Sequence, residues 1–137
     1  MIRKLALLTG LACIASCATT TPVDLSGNNT QLEARQIQTR HYDTLDKTLT
    51  MRSVIATLQD LGFTIDQADA ELGSITATRY HQATMRMTVT VVQRNKEKVS
   101  VRANARIGES AINDAETYQD FFIALDKAMF LTLHKVD

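Results

Sequence analysis

Tryptophan is absent from this 137-residue chain, proline occurs once, and the five glycines are scattered singly. Isolated glycines leave no Gly-rich loop to cradle a phosphate. The two cysteines cannot build a disulfide framework and do not form a C-x-x-C pair. With three scattered histidines, no structural zinc site and no other metal centre is expected. Fifteen Lys and Arg balance fifteen Asp and Glu. A net charge of zero lacks the clustered basic surface that nucleic-acid binding needs. What remains is 45% apolar and 22% charged, the make-up of an ordinary folded chain. Its length suits one domain, or one domain with a tail.

The first residues differ from the rest. Arg3 and Lys4 precede an apolar run of eleven residues, Leu5 to Ala15, interrupted only by Thr9 and Gly10. The run is too short for a membrane-spanning helix, which takes about 20 residues, and suits the core of a secretory signal. Ile14-Ala15-Ser16-Cys17 then matches the bacterial lipobox. Small side chains admit the extended segment to a signal-peptidase cleft. The Cys17 sulfur would take a diacylglyceryl group, and cleavage would free its amine for another acyl chain. Residues 1–16 are therefore expected to be a lipoprotein signal peptide. Each buried methylene contributes about 0.8 kcal/mol, so several chains would anchor the protein durably where one is marginal. The alternative is an ordinary secretory cleavage site that leaves Cys17 as a free thiol. Ala18 follows the cysteine where an Asp would favour the inner membrane, so an outer-membrane location facing the periplasm is expected. Removing Met1 to Ser16 takes out Arg3, Lys4 and Cys13, leaving 13 basic against 15 acidic residues, a formal charge of −2.

Residues 17–34 contain Pro22 and the run Ser26-Gly27-Asn28-Asn29, with no sustained apolar period. Such a stretch buries too little surface to offset ordering entropy, and it reads as the lipidated cysteine and a flexible tether. A segment that orders on a partner is the other reading.

Residues 35–137 read as one α+β domain in the order β-α-β-β-β-β-α. The alternating segment Gln36 to Tyr42 suggests a first strand. Asp43 or Thr44 is placed to cap a helix over Leu45 to Leu61, with Asp46 favouring its N-terminus. Leu45, Leu49, Val54, Ile55, Leu58 and Leu61 form its apolar stripe, and Gly62 ends it. Phe63 to Gln67 and Ser74 to Tyr80 alternate on either side of a turn. Met85, Met87, Val89 and Val91 share one face of a long strand, and Val99, Val101, Ala103 and Ala105 share one face of its return past Asn95 to Lys98. These patterns imply an antiparallel sheet of about four to five strands, covered on one side by two helices. The second helix runs from about Ala115 to Val136, with Tyr118, Phe121, Phe122, Leu125, Met129, Leu133 and Val136 toward the core. Open strand edges are expected at Gln36 to Tyr42 or Ser74 to Tyr80.

Little of this is chemistry. His41, His81 and His134 have no Ser, Cys or carboxylate at catalytic spacing, so no enzyme is expected. Asp66, Asp69 and Glu71 cluster at a turn but lack the ligand ladder of a calcium loop, which favours plain solvation. No cofactor is implied. Arg86, Arg94, Arg102 and Arg106 fall on or near the outward sheet face, among Thr88, Thr90, Ser100 and Asn104. They read first as a solvated face, and second as a docking face for an acidic partner or anionic headgroups. Met85, Met87, Phe121, Phe122 and Met129 read as core, or alternatively as the lining of a carrier cavity for a small apolar ligand or lipid between sheet and helix.

The strings Leu58-Gln59-Asp60-Leu61-Gly62-Phe63-Thr64-Ile65 and Asp69-Ala70-Glu71-Leu72-Gly73-Ser74-Ile75-Thr76-Ala77 resemble small proteobacterial lipoproteins. The element order is similar to the helix-grip domains of the BamC lipoproteins, subunits of the outer-membrane β-barrel assembly machinery. There too an L-x-x-x-G-F/Y step ends a helix and a G-x-I/V step opens a strand. The resemblance implies a single helix-grip domain without catalytic residues. Together with the lipobox it suggests a non-catalytic binding or scaffold subunit of a cell-envelope complex, held to the membrane by its N-terminal acyl chains and docked on an envelope protein. Replacing Cys17 with Ala is expected to abolish lipidation, leaving unprocessed or soluble protein by mass spectrometry and membrane fractionation. Unchanged mass and fractionation would contradict the assignment.

Overall fold

The computed structural model describes residues 25–134. The signal segment, Cys17 and Val136 lie outside these residues. The chain runs α1 (Leu25–Ile37), β1 (Thr39–Tyr42), α2 (Lys47–Asp60), β2 (Thr64–Asp69), β3 (Ser74–Tyr80), β4 (Thr84–Gln93), β5 (Val99–Ile107), β6 (Ser110–Ala111) and α3 (Ala115–Leu133). The domain is α+β, with all strand pairs antiparallel and a sheet order of β1-β5-β4-β3-β2; β6 also pairs with β5.

Several sequence expectations need correction. A helix, α1, occupies Leu25 to Ile37, where a flexible tether was expected through Ala34. The Ser-Gly-Asn-Asn run masked a string of good helix formers, Gln31 to Gln36, whose propensities favour the helix. The first strand accordingly shrinks to Thr39–Tyr42. Finally, β3 is interior, and the edges are β1 and β2.

Local chemistry sets the element ends. Asp46, rather than Asp43 or Thr44, caps α2 by accepting from the Leu49 N–H at 2.8 Å. Leu45 therefore lies outside the helix, 59% exposed. At the other end Gly62 has φ +83°. The Gly62 N–H donates to the Gln59 carbonyl and the Phe63 N–H to the Leu58 carbonyl, at 3.0 and 2.9 Å. This is a Schellman motif, with buried Leu58 and Phe63 at the positions that make its apolar contact. Asp114 caps α3, accepting from the Thr117 N–H and hydroxyl, each at 3.0 Å. The backbone bond first, and then the hydroxyl, hold its carboxyl below the usual range.

Gly73 is held for a different reason. Its φ is +72°, and a Cβ there would meet the Val91 carbonyl oxygen and the Lys47 side chain. The close approach lets the Gly73 carbonyl accept from the Val91 N–H at 2.7 Å. Asp69 shapes the preceding turn by accepting from the Leu72 N–H at 2.8 Å. In the β4–β5 turn, Asn95 Oδ1 accepts from the Glu97 and Lys98 N–H groups.

One apolar cluster lies between the inner sheet face and the helices. On the sheet, Met87 stands between Ala77 and Ala105, and Val89 between Ile75 and Ala103. Large and small side chains thus interleave across three strands. From α2 come Met51, Val54 and Leu58; from α3 come Tyr118, Phe121, Phe122, Leu125 and Met129. Leu133, expected in the core, is 48% exposed. Phe121 and Phe122 meet edge to face, with ring centres 5.1 Å apart.

The edge strand β1 is matched to α3 turn by turn. The Gln38 amide donates to the Tyr118 hydroxyl at 3.2 Å, and the Arg40 guanidinium lies 5.2 Å above the Phe122 ring. Tyr42 donates to Asp126 at 2.7 Å. Two strand residues advance about 6.6 Å and four helix residues about 6 Å, so the three pairings stay in step. The Tyr118 hydroxyl also accepts from the Ala105 N–H at 3.0 Å and donates to the Ile112 carbonyl at 2.7 Å. It fills the break along β5 between the segments paired with β1 and with β6. Replacing Tyr118 with Phe would leave three polar partners unmatched, and it is expected to cost about 2 kcal/mol or more in urea denaturation. A loss below about 0.5 kcal/mol would show that the hydroxyl is dispensable.

Candidate functional site

The inner face of the sheet is committed to packing, and its outer face is polar. On that face Arg102 of β5 stands between Thr39 of β1 and Thr90 of β4. One pair further along, Ser100 stands between His41 and Val92; in the other direction, Asn104 faces Thr88. Arg94 extends past the end of β4, and Arg35 enters from the last turn of α1. Together these elements enclose an open groove of about 510 Å³, lined by Arg35, Arg94 and Arg102 with Thr39, Thr90, Val92, Ser100 and Asn104. Among the described residues no carboxylate lines it.

The four arginines expected on this face therefore separate into two groups. Arg94 and Arg102 belong to the groove. Arg86 and Arg106 sit directly opposite each other on β4 and β5, beside a smaller recess of about 220 Å³ shared with Thr84, Gly108 and Glu109. Like charges directly opposite on a sheet are destabilising. Among the described residues the ion pairs are Arg40–Asp126 and Lys98–Asp43, at 3.6 and 3.5 Å. Neither engages an arginine of the outer face.

Arg35, Thr39 and Val92 were missing from the sequence-based site. The sequence pattern puts Arg35 at the domain boundary, since α1 leaves no clear periodic signal, and Thr39 within a longer strand that carries no function. The helix-forming composition of residues 31–36 was the signal available for Arg35.

The remaining candidates have structural roles. Asp66 accepts from the Thr78 hydroxyl at 2.6 Å, Asp69 caps its turn, and the Glu71 carbonyl accepts from Lys47. Among the described residues no three His, Cys, Asp or Glu side chains are grouped so as to hold a metal ion. His41 and His81 are exposed. His134 caps α3, with Nδ1 2.9 Å from the Phe130 carbonyl and its ring stacked on Phe130. Met85, Met87, Phe121, Phe122 and Met129, the alternative ligand lining, are all buried in the core cluster. Met85, Met87 and Phe121 border a notch of about 190 Å³ beside Arg79, smaller than the ~300 Å³ at which ligand pockets usually begin. The Arg79 guanidinium lies 4.9 Å above the Phe63 ring in that notch.

No helix among the described residues is long and apolar enough to cross a membrane. The chain matches no family model, and no curated protein is significantly similar to it.

The most perturbed titratable group, Tyr42, belongs to the β1–α3 contact and not to the groove. Burial first, and then the hydrogen bond it donates to Asp126, push its hydroxyl far above the ordinary tyrosine range. Below about pH 10 the residue is neutral whether folded or unfolded, and its contribution to stability is fully present. Above that pH only the unfolded chain ionises, so stability should fall by up to about 1.4 kcal/mol per pH unit, less the solvent screening of a half-buried site. Tyr42→Phe is expected to flatten this slope in denaturant titrations from about pH 9 to about pH 12. An identical slope in both chains would contradict the assignment.

Proposed function

We propose that this chain is a lipid-anchored lipoprotein of the bacterial outer membrane, with its domain facing the periplasm. In this reading it acts without catalysis, as a binding or scaffold subunit of a cell-envelope complex. It recognises an acidic group through the outer face of its sheet. The observation that carries the proposal is the groove in which Arg35, Arg94 and Arg102 converge, with no carboxylate among the described residues that line it. Guanidinium groups present forked donors suited to carboxylate and phosphate oxygens, and their affinity is realised when a partner supplies the missing charge. The lipobox at Ile14 to Cys17 supports the anchor. The resemblance of the order β-α-β-β-β-β-α, here with α1 and the short β6 added, to helix-grip lipoprotein domains supports a docking role.

Charge reversal in the groove tests the proposal. Membranes carrying Arg94→Glu/Arg102→Glu are expected to lose the reproducible cross-linked adducts of the wild-type chain, while the melting temperature changes by no more than about 4 °C, as for exposed side chains. Adducts that persist unchanged, or a wild-type chain that forms none, would overturn it.

A further inference from the structure

The groove differs from a peptide-docking surface in its floor. It is built on β4 and β5, which are both interior in the sheet order β1-β5-β4-β3-β2. Their main-chain donors and acceptors pair with neighbouring strands. An extended acidic peptide lying over β4 and β5 would find their main chains already paired, and β1, the edge strand at the groove, offers only four residues for strand addition, the usual source of affinity in that mode. The polar residues lining the groove carry side-chain donors: the guanidiniums of Arg35, Arg94 and Arg102, the hydroxyls of Thr39, Thr90 and Ser100, and the Asn104 amide. All can donate hydrogen bonds, and the three cations fix the sign of the ligand. Such a set suits a compact group with several acceptor oxygens and at least one negative charge.

The position of the groove on the chain narrows the source. Arg35 belongs to α1, which begins at Leu25, eight residues after Cys17. Eight residues extend no further than about 28 Å. The anchored domain is thus on a much shorter leash than a tether running to Ala34 would allow. Tethering at this range gives groups on the domain a high effective concentration at the lipid surface.

We propose that the groove of Arg35, Arg94 and Arg102 binds the phosphoryl headgroup of an anionic phospholipid in the membrane that holds Cys17. The outer sheet face and the Arg35 end of α1 then turn toward the bilayer, and α2 and α3, packed on the inner face, turn away from it. The assignment rests on the outer sheet face being the binding face of an anchored protein, and it names the acidic group that this face takes.

The test uses the chain from residue 17 onward with Cys17→Ser, which keeps all described residues and removes the acyl chains. It is sedimented with phosphatidylglycerol vesicles and with phosphatidylcholine vesicles. Binding is expected only to the former, and it should weaken as salt is raised. Arg94→Gln/Arg102→Gln should bind roughly thirtyfold more weakly, with an unchanged melting temperature. Arg86→Gln/Arg106→Gln, outside the groove, should lose much less. Equal binding to both vesicle types, or an undiminished groove variant, would overturn the proposal. So would saturable binding of inorganic phosphate without any vesicle affinity, because it would assign the site to a free ligand. If the vesicles fail while groove variants still lose their cross-links in membranes, the lipid assignment falls and the binding role stands.

Discussion

The hydroxyl of Tyr118 is the point on which the architecture turns. It is buried at 1% exposure and uses its full capacity, accepting from Ala105 and Gln38 and donating to Ile112. These partners belong to β5, to the residue before β1, and to the residue after β6. One side-chain atom therefore joins the covering helix to a sheet edge that the backbone alone leaves interrupted. From that point β1 is held in register along α3 through Arg40 over Phe122 and Tyr42 on Asp126. Without it, β1 would be a four-residue edge strand with only β5 to pair with, too short to be stable by itself.

This constraint also shapes the outer face. Because β1 is fixed against α3 on the inner side, Thr39 and His41 are directed to the other side, beside Arg102 and Ser100. The turn at Ile37–Gln38 likewise brings the end of α1, with Arg35, to the rim of the groove. Core packing and groove are two sides of the same strand alternation. The inner side satisfies its polar groups internally, apart from the Thr57 hydroxyl, which has no partner among the described residues. The outer side has arginines that form no ion pair among the described residues, and it sets Arg86 against Arg106 across a strand pair. Local rules broken in this way usually mark a surface shaped by binding.

Much of the fold was legible because local chemistry and global packing agree. The Leu58 to Phe63 string encodes a Schellman ending, with its glycine at the left-handed position and its apolar pair at the two contact positions. The Asp69 to Ile75 string encodes an Asx-shaped turn and a glycine pressed against Val91. Alternation in β4 and β5 named nearly every inward residue. α1 was hidden by its own first turns, Ser26 to Asn29, whose composition favours loops. β6 is two residues long and depends on its hairpin with β5. The site was half legible. Strand alternation put four arginines on one face, but only register could separate the Arg86–Arg106 pair from the Arg94–Arg102 groove. Only tertiary placement could add Arg35. The Tyr118 contacts span as many as 80 residues of sequence, beyond any local pattern.

The central claim is that the outer face recognises an oxyanion where Arg35, Arg94 and Arg102 converge. Residue-resolved NMR during titration with a short-chain phosphatidylglycerol below its micelle concentration measures this most directly. Saturable shifts concentrated on Arg35, Thr39, Thr90, Arg94, Ser100, Arg102 and Asn104 are expected, with α2 and α3 unperturbed. Shifts centred on the exposed apolar side chains of α3, Ile123, Phe130 and Leu131, or no saturable shift at all, would contradict it.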